Sequence, residues 1–103
     1  MAKAEIFAGI CGFNTEVEAT MEGSVCKLKI TSQCDAIQRL AEELTQVEPY
    51  DEIAFKPKIP RTLELSSQHC LHAACPVPSG IIKAIEIESG LALPVDVAIK
   101  LSK

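Results

Sequence analysis

Two alternating stretches joined by a turn constrain the fold more than any other feature of the sequence. Residues 15–21 (TEVEATM) alternate mostly acidic or polar side chains with apolar ones, and residues 25–30 (VCKLKI) alternate apolar side chains with two lysines. The intervening EGS is typical of a hairpin turn, so the two stretches are predicted to pair as antiparallel strands. A period of two places Cys26 on the apolar face of the second strand, where it is predicted to lie in the core.

An amphipathic helix is predicted to follow the hairpin. Ser32 is expected as its N-cap, with Asp35 three residues later in the place of a capping-box acid. Apolar side chains then recur at helical spacing and define one buried face: Ile37, Leu40, Ala41 and Leu44. Because Cys34 lies one turn before Ile37 on the same face, it is predicted to look inward from the first turn.

The next part of the chain is predicted to contain a loop and two helices. Prolines at 49, 57 and 60 indicate loop or edge structure. Ser66-Ser67 is expected to cap a short helix that breaks at Cys75, and a second helix is expected from about 79 to 89. Gly90 is placed to end this second helix.

The last residues complete the predicted fold. Residues 93–101 (LPVDVAIKL) alternate and are predicted to form a closing strand. The sequence thus predicts an α+β fold in one domain, residues 1–103. In it, a small antiparallel sheet is made of an N-terminal strand near residues 4–10, the hairpin and the C-terminal strand, and helices cover one face. A flat apolar edge strand at the C-terminus can pair with a second copy, so a homodimer is one expected assembly.

Composition and charge argue against nucleic-acid and membrane partners. The chain has 10 basic and 14 acidic residues, a net charge of −4 and only 4% aromatic residues, so it lacks both a basic surface and base-stacking platforms. Its first residues, MAKAEIF, contain an early acid and too short an apolar run for a signal peptide or a membrane span. A cytoplasmic protein is therefore expected, in which five cysteines favour reduced thiols or metal ligands over disulfides.

Four of these cysteines fall where an element is predicted to begin or end: Cys11, Cys34, Cys70 and Cys75. The last three are expected at helix starts, where free backbone N–H groups and the helix dipole favour the thiolate. Two of the thiols share the segment HCLHAAC with His69 and His72, and such ligands suit zinc, iron or an iron–sulfur cluster. Four thiolate ligands are available if the first strand ends, and the first helix begins, beside this segment.

Two ordinary explanations stand beside metal coordination. The paired C-x2-C hooks of many zinc sites are absent, and only a C-x4-C spacing occurs locally. Cysteine is among the most buried residue types and can simply pack as a small hydrophobe. Histidines in a short surface helix are more often solvated or capping groups than ligands.

The segment CPVPSGIIK, which begins at Cys75, resembles the CPxP-x4-K signature of small sulfur-carrier proteins that pass a persulfide between enzymes. The resemblance implies that Cys75 accepts sulfane sulfur, that Pro76 and Pro78 stiffen the helix start, and that Lys83 belongs to the motif. Cys70 is then a candidate resolving thiol. A thiol at a proline-stiffened helix start is also a good nucleophile on physical grounds alone.

The chain as a whole resembles a group of small uncharacterised cysteine-bearing proteins of anaerobic bacteria and archaea. The similarity lies in CGF, C-x7-C, HCLHAACPVP and GLALP. The leading hypothesis is a binding protein rather than an enzyme, which holds an iron–sulfur cluster or zinc through Cys11, Cys34, Cys70 and Cys75 and serves a protein or redox partner. The alternatives are persulfide relay on Cys75 and a structural interaction module with free thiols.

Overall fold

Four antiparallel strands form one sheet in the computed structural model, which describes residues 1–103. Their order in the sheet follows the chain: β1 (Ala2–Phe7), β2 (Asn14–Glu22), β3 (Val25–Ser32) and β4 (Gln46–Val47). The predicted hairpin is confirmed, because Glu22 pairs with Val25 across the turn. Gly23 in that turn has a φ of +66°, a conformation that favours glycine.

Three helices cover one face of this sheet: α1 (Asp35–Glu43), α2 (Arg61–His69) and α3 (Val77–Glu88). α1 packs on β3, α3 packs on β1 and β2, and α2 packs against the other two helices. Charged side chains occupy the opposite face, where Lys3 lies 3.4 Å from Glu16 across the β1–β2 pair. The α+β class, with helices on one face of an antiparallel sheet, is therefore confirmed.

The core lies between the sheet and the helices and consists of small and branched apolar side chains. Ile37, Leu40 and Leu44 of the predicted α1 face are fully buried there. Cys26 is also fully buried, as the alternation of β3 predicts. Burial raises the pKa of its thiol, and the negative charge of Glu88 adds to that effect. Cys26 is therefore a neutral core residue.

The start of α1 differs from its prediction by two residues. Cys34, rather than Ser32, is the N-cap, with extended backbone angles. Ser32 contributes in another way, because its hydroxyl accepts a hydrogen bond from the Cys34 N–H at 3.1 Å. Gln38 donates its side-chain amide to the Ser32 carbonyl at 2.8 Å, which ties the end of β3 to the first turn of the helix.

A remote carboxylate caps α2, which begins earlier than the sequence predicted. Ser66-Ser67 lies inside the helix, so the predicted serine cap is wrong. Glu52 follows the short 3-10 helix Pro49–Asp51 and is only 2% exposed. Its carboxylate accepts hydrogen bonds from the N–H groups of Arg61 and Thr62 at 3.0 and 2.8 Å and from the Thr62 hydroxyl at 2.6 Å. These bonds satisfy donors that a helix start leaves free.

α3 is held close to β1 by a glycine. A Cβ atom at Gly80 would collide with the side chain of Ile6, so α3 can approach the edge strand only because this residue has no side chain. The other end of the helix stops as predicted at Gly90, which has a φ of +80°. The N–H of Leu91 donates to the Glu86 carbonyl at 2.8 Å and closes the C-terminal turn.

The predicted closing strand does not form. The fourth strand is instead the two-residue β4, which extends the sheet beside β3. Residues 92–103 make no hydrogen bond or ion pair with the rest of the chain. We call these residues the C-terminal arm.

None of the helices is both long and apolar enough to cross a membrane.

Candidate functional site

Three half-buried thiols gather where the helices meet. Cys34 is the N-cap of α1, Cys70 is the C-cap of α2, and Cys75 lies two residues before α3. Each packs against the main apolar core, and none forms a disulfide. We call these three residues the thiol cluster. The structure therefore unites three of the four cysteines that the sequence singled out.

Electrostatics around Cys70 show that two members of the thiol cluster act on the third. Burial raises the pKa of the Cys70 thiol, and negative charge on Cys75 and then on Cys34 raises it further. The cation of Arg39 acts in the opposite direction and lowers it. Because like charges raise a thiol pKa only over short range, the three sulfur atoms share one local electrostatic environment.

Backbone hydrogen bonds fix two members of the thiol cluster on either side of a tight connection. The N–H of Cys70 donates to the Ser66 carbonyl at 2.8 Å as the last turn of α2 closes. The connection to α3 contains a turn, in which the N–H of Cys75, five residues after Cys70, donates to the His72 carbonyl at 3.3 Å. Pro76 then caps α3 and buried Pro78 stiffens its first turn. The C-x4-C spacing thus spans the link between two helices.

The expected helix-start position is wrong for Cys70. It lies at the C-terminal end of α2, where unpaired carbonyl groups point and where the dipole disfavours an anion. Cys34 and Cys75 do lie at the starts of α1 and α3, as predicted. The thiol cluster thus combines two thiols at positive helix ends with one at a negative end.

Cys11 lies apart from the thiol cluster but at the same end of the sheet. It is exposed in the loop of residues 8–13, which joins β1 to β2. The N–H of Asn14, just after this loop, donates to the side-chain oxygen of Gln33 at 2.9 Å, and Gln33 directly precedes Cys34. As the side chains stand, no three His, Cys, Asp or Glu residues converge closely enough to hold a metal ion.

The two histidines of HCLHAAC are separated by the structure. His69 ends α2 and its Nε2 pairs with the Glu43 carboxylate, which ties the C-terminal ends of α2 and α1 together. His72 is exposed in the connection that follows. His69 therefore has a structural partner, in keeping with the ordinary explanation given for histidines in short helices.

Arg39 is the residue near the site that the sequence analysis missed. It is the only cation in α1, whose other charged residues are acidic. Five residues separate it from Cys34, yet its charge acts on Cys70 of another helix. A lone arginine on a helix that begins with a cysteine was the available signal.

One cleft of the molecule is separate from the thiols. It has a volume of about 590 Å³ and lies at the ends of β1, β2 and β3, where Phe7, Thr15 and Gln33 contribute to its walls. No cysteine lines it. The thiol cluster is therefore a surface site between helix ends rather than the base of a deep pocket.

The architecture is thus a small α+β domain with a cluster of free thiols at the junction of its three helices. The chain belongs to the family of unknown function DUF6951, whose model matches residues 2–101. This match confirms the resemblance to an uncharacterised family and includes the C-terminal arm. Neither a curated protein nor a solved structure shows significant similarity to the chain.

Proposed function

We propose that this protein binds a metal ion or an iron–sulfur cluster through the thiol cluster, with Cys11 as the fourth ligand. The carrying observation is that Cys34, Cys70 and Cys75 come from three different helix ends, and that negative charge on Cys75 and Cys34 still raises the pKa of Cys70. Thiolate sulfur is the preferred ligand of zinc and of iron–sulfur clusters. A cation among the thiols would also favour the thiolate of Cys70, whose pKa is raised by burial and, to a smaller extent, by the charges of Cys75 and Cys34.

Coordination requires a rearrangement of the thiols, because no three such side chains converge on a common centre as they stand. Cys11 must approach by movement of its loop, in which Gly9 and Gly12 have φ values of +90° and +75°. That loop is closed only by its own bonds, from Ala8 N–H to the Phe13 carbonyl and from Gly12 N–H to the Gly9 carbonyl. A closing loop would add folding free energy by linking three helices to the sheet.

The first experiment is metal and acid-labile sulfide analysis, with a visible absorption spectrum, on protein purified without oxygen. Iron with sulfide supports a cluster, and zinc alone supports a thiolate site of structural or regulatory type. Absence of both, together with failed reconstitution by iron and sulfide and by zinc, overturns the proposal.

Substitution identifies the ligands. Cys34→Ser, Cys70→Ser and Cys75→Ser are each expected to abolish stoichiometric metal binding, and Cys11→Ser is expected to weaken it. Cys26→Ala is the control. It also removes one thiol, but that thiol belongs to β3, is fully buried in the core and is not a proposed ligand. Metal retained by all three cluster variants contradicts the ligand assignment.

Persulfide relay on Cys75 is the second candidate, and one observation favours it. Cys75 is followed by Pro76 as the N-cap of α3 and by Pro78 in its first turn, so the CPxP resemblance coincides with a real helix start. In such a relay the Cys75 thiolate takes the outer sulfur of a donor persulfide and releases the donor thiolate. Cys70, across the short connection, is the proposed resolving thiol: its thiolate attacks the inner sulfur of the Cys75 persulfide, which forms the Cys70–Cys75 disulfide and releases hydrosulfide.

The two functions predict different dependence on the cysteines. A carrier requires Cys75 alone for uptake of sulfane sulfur, and Cys34→Ser should leave uptake intact. A metal site is expected to lose its metal both in Cys34→Ser and in Cys75→Ser. Mass spectrometry after incubation with a sulfane-sulfur donor such as polysulfide, without oxygen and with the reductant used in purification removed beforehand, detects an added sulfur atom of about 32 Da on Cys75 if the carrier function holds.

The cellular setting proposed for either function is a reducing, oxygen-poor cytoplasm, in which free thiols and iron–sulfur clusters persist. The partner is proposed to be a protein that delivers or receives the metal, the electron or the sulfur. The chain has a net charge of −4, which supports a protein rather than a nucleic acid as this partner.

A further inference from the structure

The C-terminal arm carries a full set of apolar side chains that nothing in one chain covers. Every residue of the arm is exposed. The large apolar side chains recur at every second position and are 64 to 89% exposed: Leu93, Val95, Val97, Ile99 and Leu101. Side chains at this period share one face of an extended segment. A soluble chain rarely leaves such a face uncovered unless a partner binds it.

The sheet offers a free edge where such a segment fits. β1 is the first strand in the sheet order, so only β2 pairs with it and its outer backbone groups have no strand partner. β1 has six residues and contains no proline. At the opposite edge, β4 has only two residues, Gln46 and Val47. β1 is therefore the longer of the two edges and has fewer features that prevent pairing.

The apolar layer under the helices is also incomplete at this edge. On the helix side of β2, Val17 and Ala19 are fully buried. Their partners on β1 include Ala4, which pairs with Val17. Ala4 and Ile6 pack against the core but remain only partly buried. An added strand with apolar side chains on the helix side would complete this layer, and the arm has the required alternation.

The arm departs from α3 beside that same edge. Glu88, at the end of α3, lies 3.3 Å from the amino group of Met1 and accepts a hydrogen bond from the Met21 N–H at 2.9 Å. Gly90 then turns the chain out of the helix. The arm of one copy therefore leaves its own β1 edge vacant while it extends into solvent close to the place where that edge begins.

We propose that two copies of this chain form a symmetric dimer by exchanging arms, each arm adding a strand to the β1 edge of the other copy. Each copy donates one strand and accepts one, so the arrangement closes after two subunits. Reciprocal exchange uses the arm surface twice, which brings one short strand toward the roughly 1,600 Å² of a standard stable interface. The apolar side chains of the arm would lie on the helix side of the sheet, beside Ala4 and Ile6.

Light scattering combined with size exclusion tests this assembly directly. The full chain is expected at twice the mass of one chain, and a variant that ends at Ala92 is expected at the mass of a monomer. Because the arm makes no hydrogen bond to its own body, the shortened chain should keep its fold, which circular dichroism checks. A monomeric full chain, or a dimer that survives removal of the arm, overturns the proposal.

Paired substitutions separate the two faces of the arm. Val97→Ser with Ile99→Ser removes apolar contacts from the proposed buried face and should weaken dimerisation by more than about tenfold. Ala98→Ser with Lys100→Ser, on the opposite face, is the control and should change it by less than about threefold. Equal effects of the two pairs contradict the assignment of the face.

Hydrogen exchange distinguishes exchange between copies from folding back within one chain. Backbone amides of residues 95–101 are expected to be protected in the dimer and to lose protection on dilution to the monomer. Protected arm amides in a monomeric protein would show that the arm occupies its own β1 edge, which also overturns the proposal. These measurements do not involve the thiols, so they are independent of metal or sulfur binding.

Discussion

The N-termini of α1 and α2 are held in different ways. At α2 a buried carboxylate, Glu52, accepts three hydrogen bonds from the first helical residues. At α1 the N-cap is Cys34, whose side chain makes no capping hydrogen bond. α3 resembles α1 in this respect, because its N-cap Pro76 makes no side-chain cap either and Cys75 directly precedes it.

The helix starts therefore differ in kind: the start of α2 has a carboxylate cap, and the starts of α1 and α3 have a cysteine and no side-chain cap. Where a helix start has a carboxylate cap, its free N–H groups and positive potential are already used for stability. Where the cap is missing, that potential remains available to a neighbouring anion, and a cysteine stands at both such places. The comparison therefore assigns stability to Glu52, whereas the starts of α1 and α3 each have a cysteine and no side-chain cap.

Glu52→Ala should produce the largest effect on stability. It removes three hydrogen bonds and leaves the buried N–H of Thr62 and the part-buried N–H of Arg61 without partners, so the free energy of unfolding should fall by about 3 kcal/mol. Urea denaturation measures this loss. Glu48→Ala, an exposed carboxylate in the same segment, is the control and should change stability by less than about 0.5 kcal/mol. A small effect at Glu52 would break the comparison between the helix starts.

Gly80→Ala tests how α3 is positioned without a cap. The new methyl group collides with Ile6, and overpacking of this kind costs about 1–3 kcal/mol, of which better helix propensity returns up to about 1. We expect a net loss of about 1–2 kcal/mol in denaturant unfolding. Ser79→Ala at an exposed position of the same helix should be neutral or slightly stabilising. Equal stability of Gly80→Ala and the parent would show that the close approach to β1 is not needed.

Glu88 provides a smaller test, at the opposite end of α3. The hydrogen bond from the Met21 N–H, followed by the charge of the terminal amine, lowers the pKa of this carboxyl, although burial opposes the shift. A carboxyl with a lower pKa in the folded state adds stability above its unfolded pKa and loses it as the pH falls through its folded pKa. Glu88→Gln should therefore cost about 1 kcal/mol at neutral pH and flatten the acid limb of the stability profile. An unchanged acid limb contradicts the assignment.

Periodic patterns in the sequence were enough to predict much of the fold. The hairpin, the buried face of α1, the core position of Cys26 and the stop at Gly90 all follow from local alternation, helical spacing or glycine chemistry. The α2 cap did not, because Glu52 lies nine residues before Arg61 and only the folded loop brings them together. Local capping rules favoured Ser66-Ser67 instead, which lies within the helix.

For the C-terminal arm and for the thiols too, local sequence patterns were not enough, because contacts between distant parts of the chain decide the structure. Alternation in residues 93–101 predicted a closing strand, which does not form, because alternation alone does not specify a neighbouring strand to pair with. The sequence singled out Cys34, Cys70 and Cys75, together with Cys11, as ligands of one site, and that role stays a prediction. The environment of Cys70 was not predicted. The sequence placed Cys70 near the positive, N-terminal end of a short helix, whereas α2 ends at His69 and leaves Cys70 at its negative, C-terminal end.

Arg39→Gln tests the electrostatic part of the comparison and should leave global stability nearly unchanged. Arg39 lowers the pKa of Cys70, so its removal should raise that pKa and slow alkylation of Cys70 at a fixed, mildly alkaline pH. Replacing Cys75 by Ser removes a like charge and should have the opposite effect, with faster alkylation. Site-resolved mass spectrometry after iodoacetamide treatment follows both changes, and Arg61→Gln is the control for loss of a distant arginine. If alkylation of Cys70 responds to neither Arg39 nor Cys75, the thiols do not share one electrostatic environment, and the main support for a common metal site is lost.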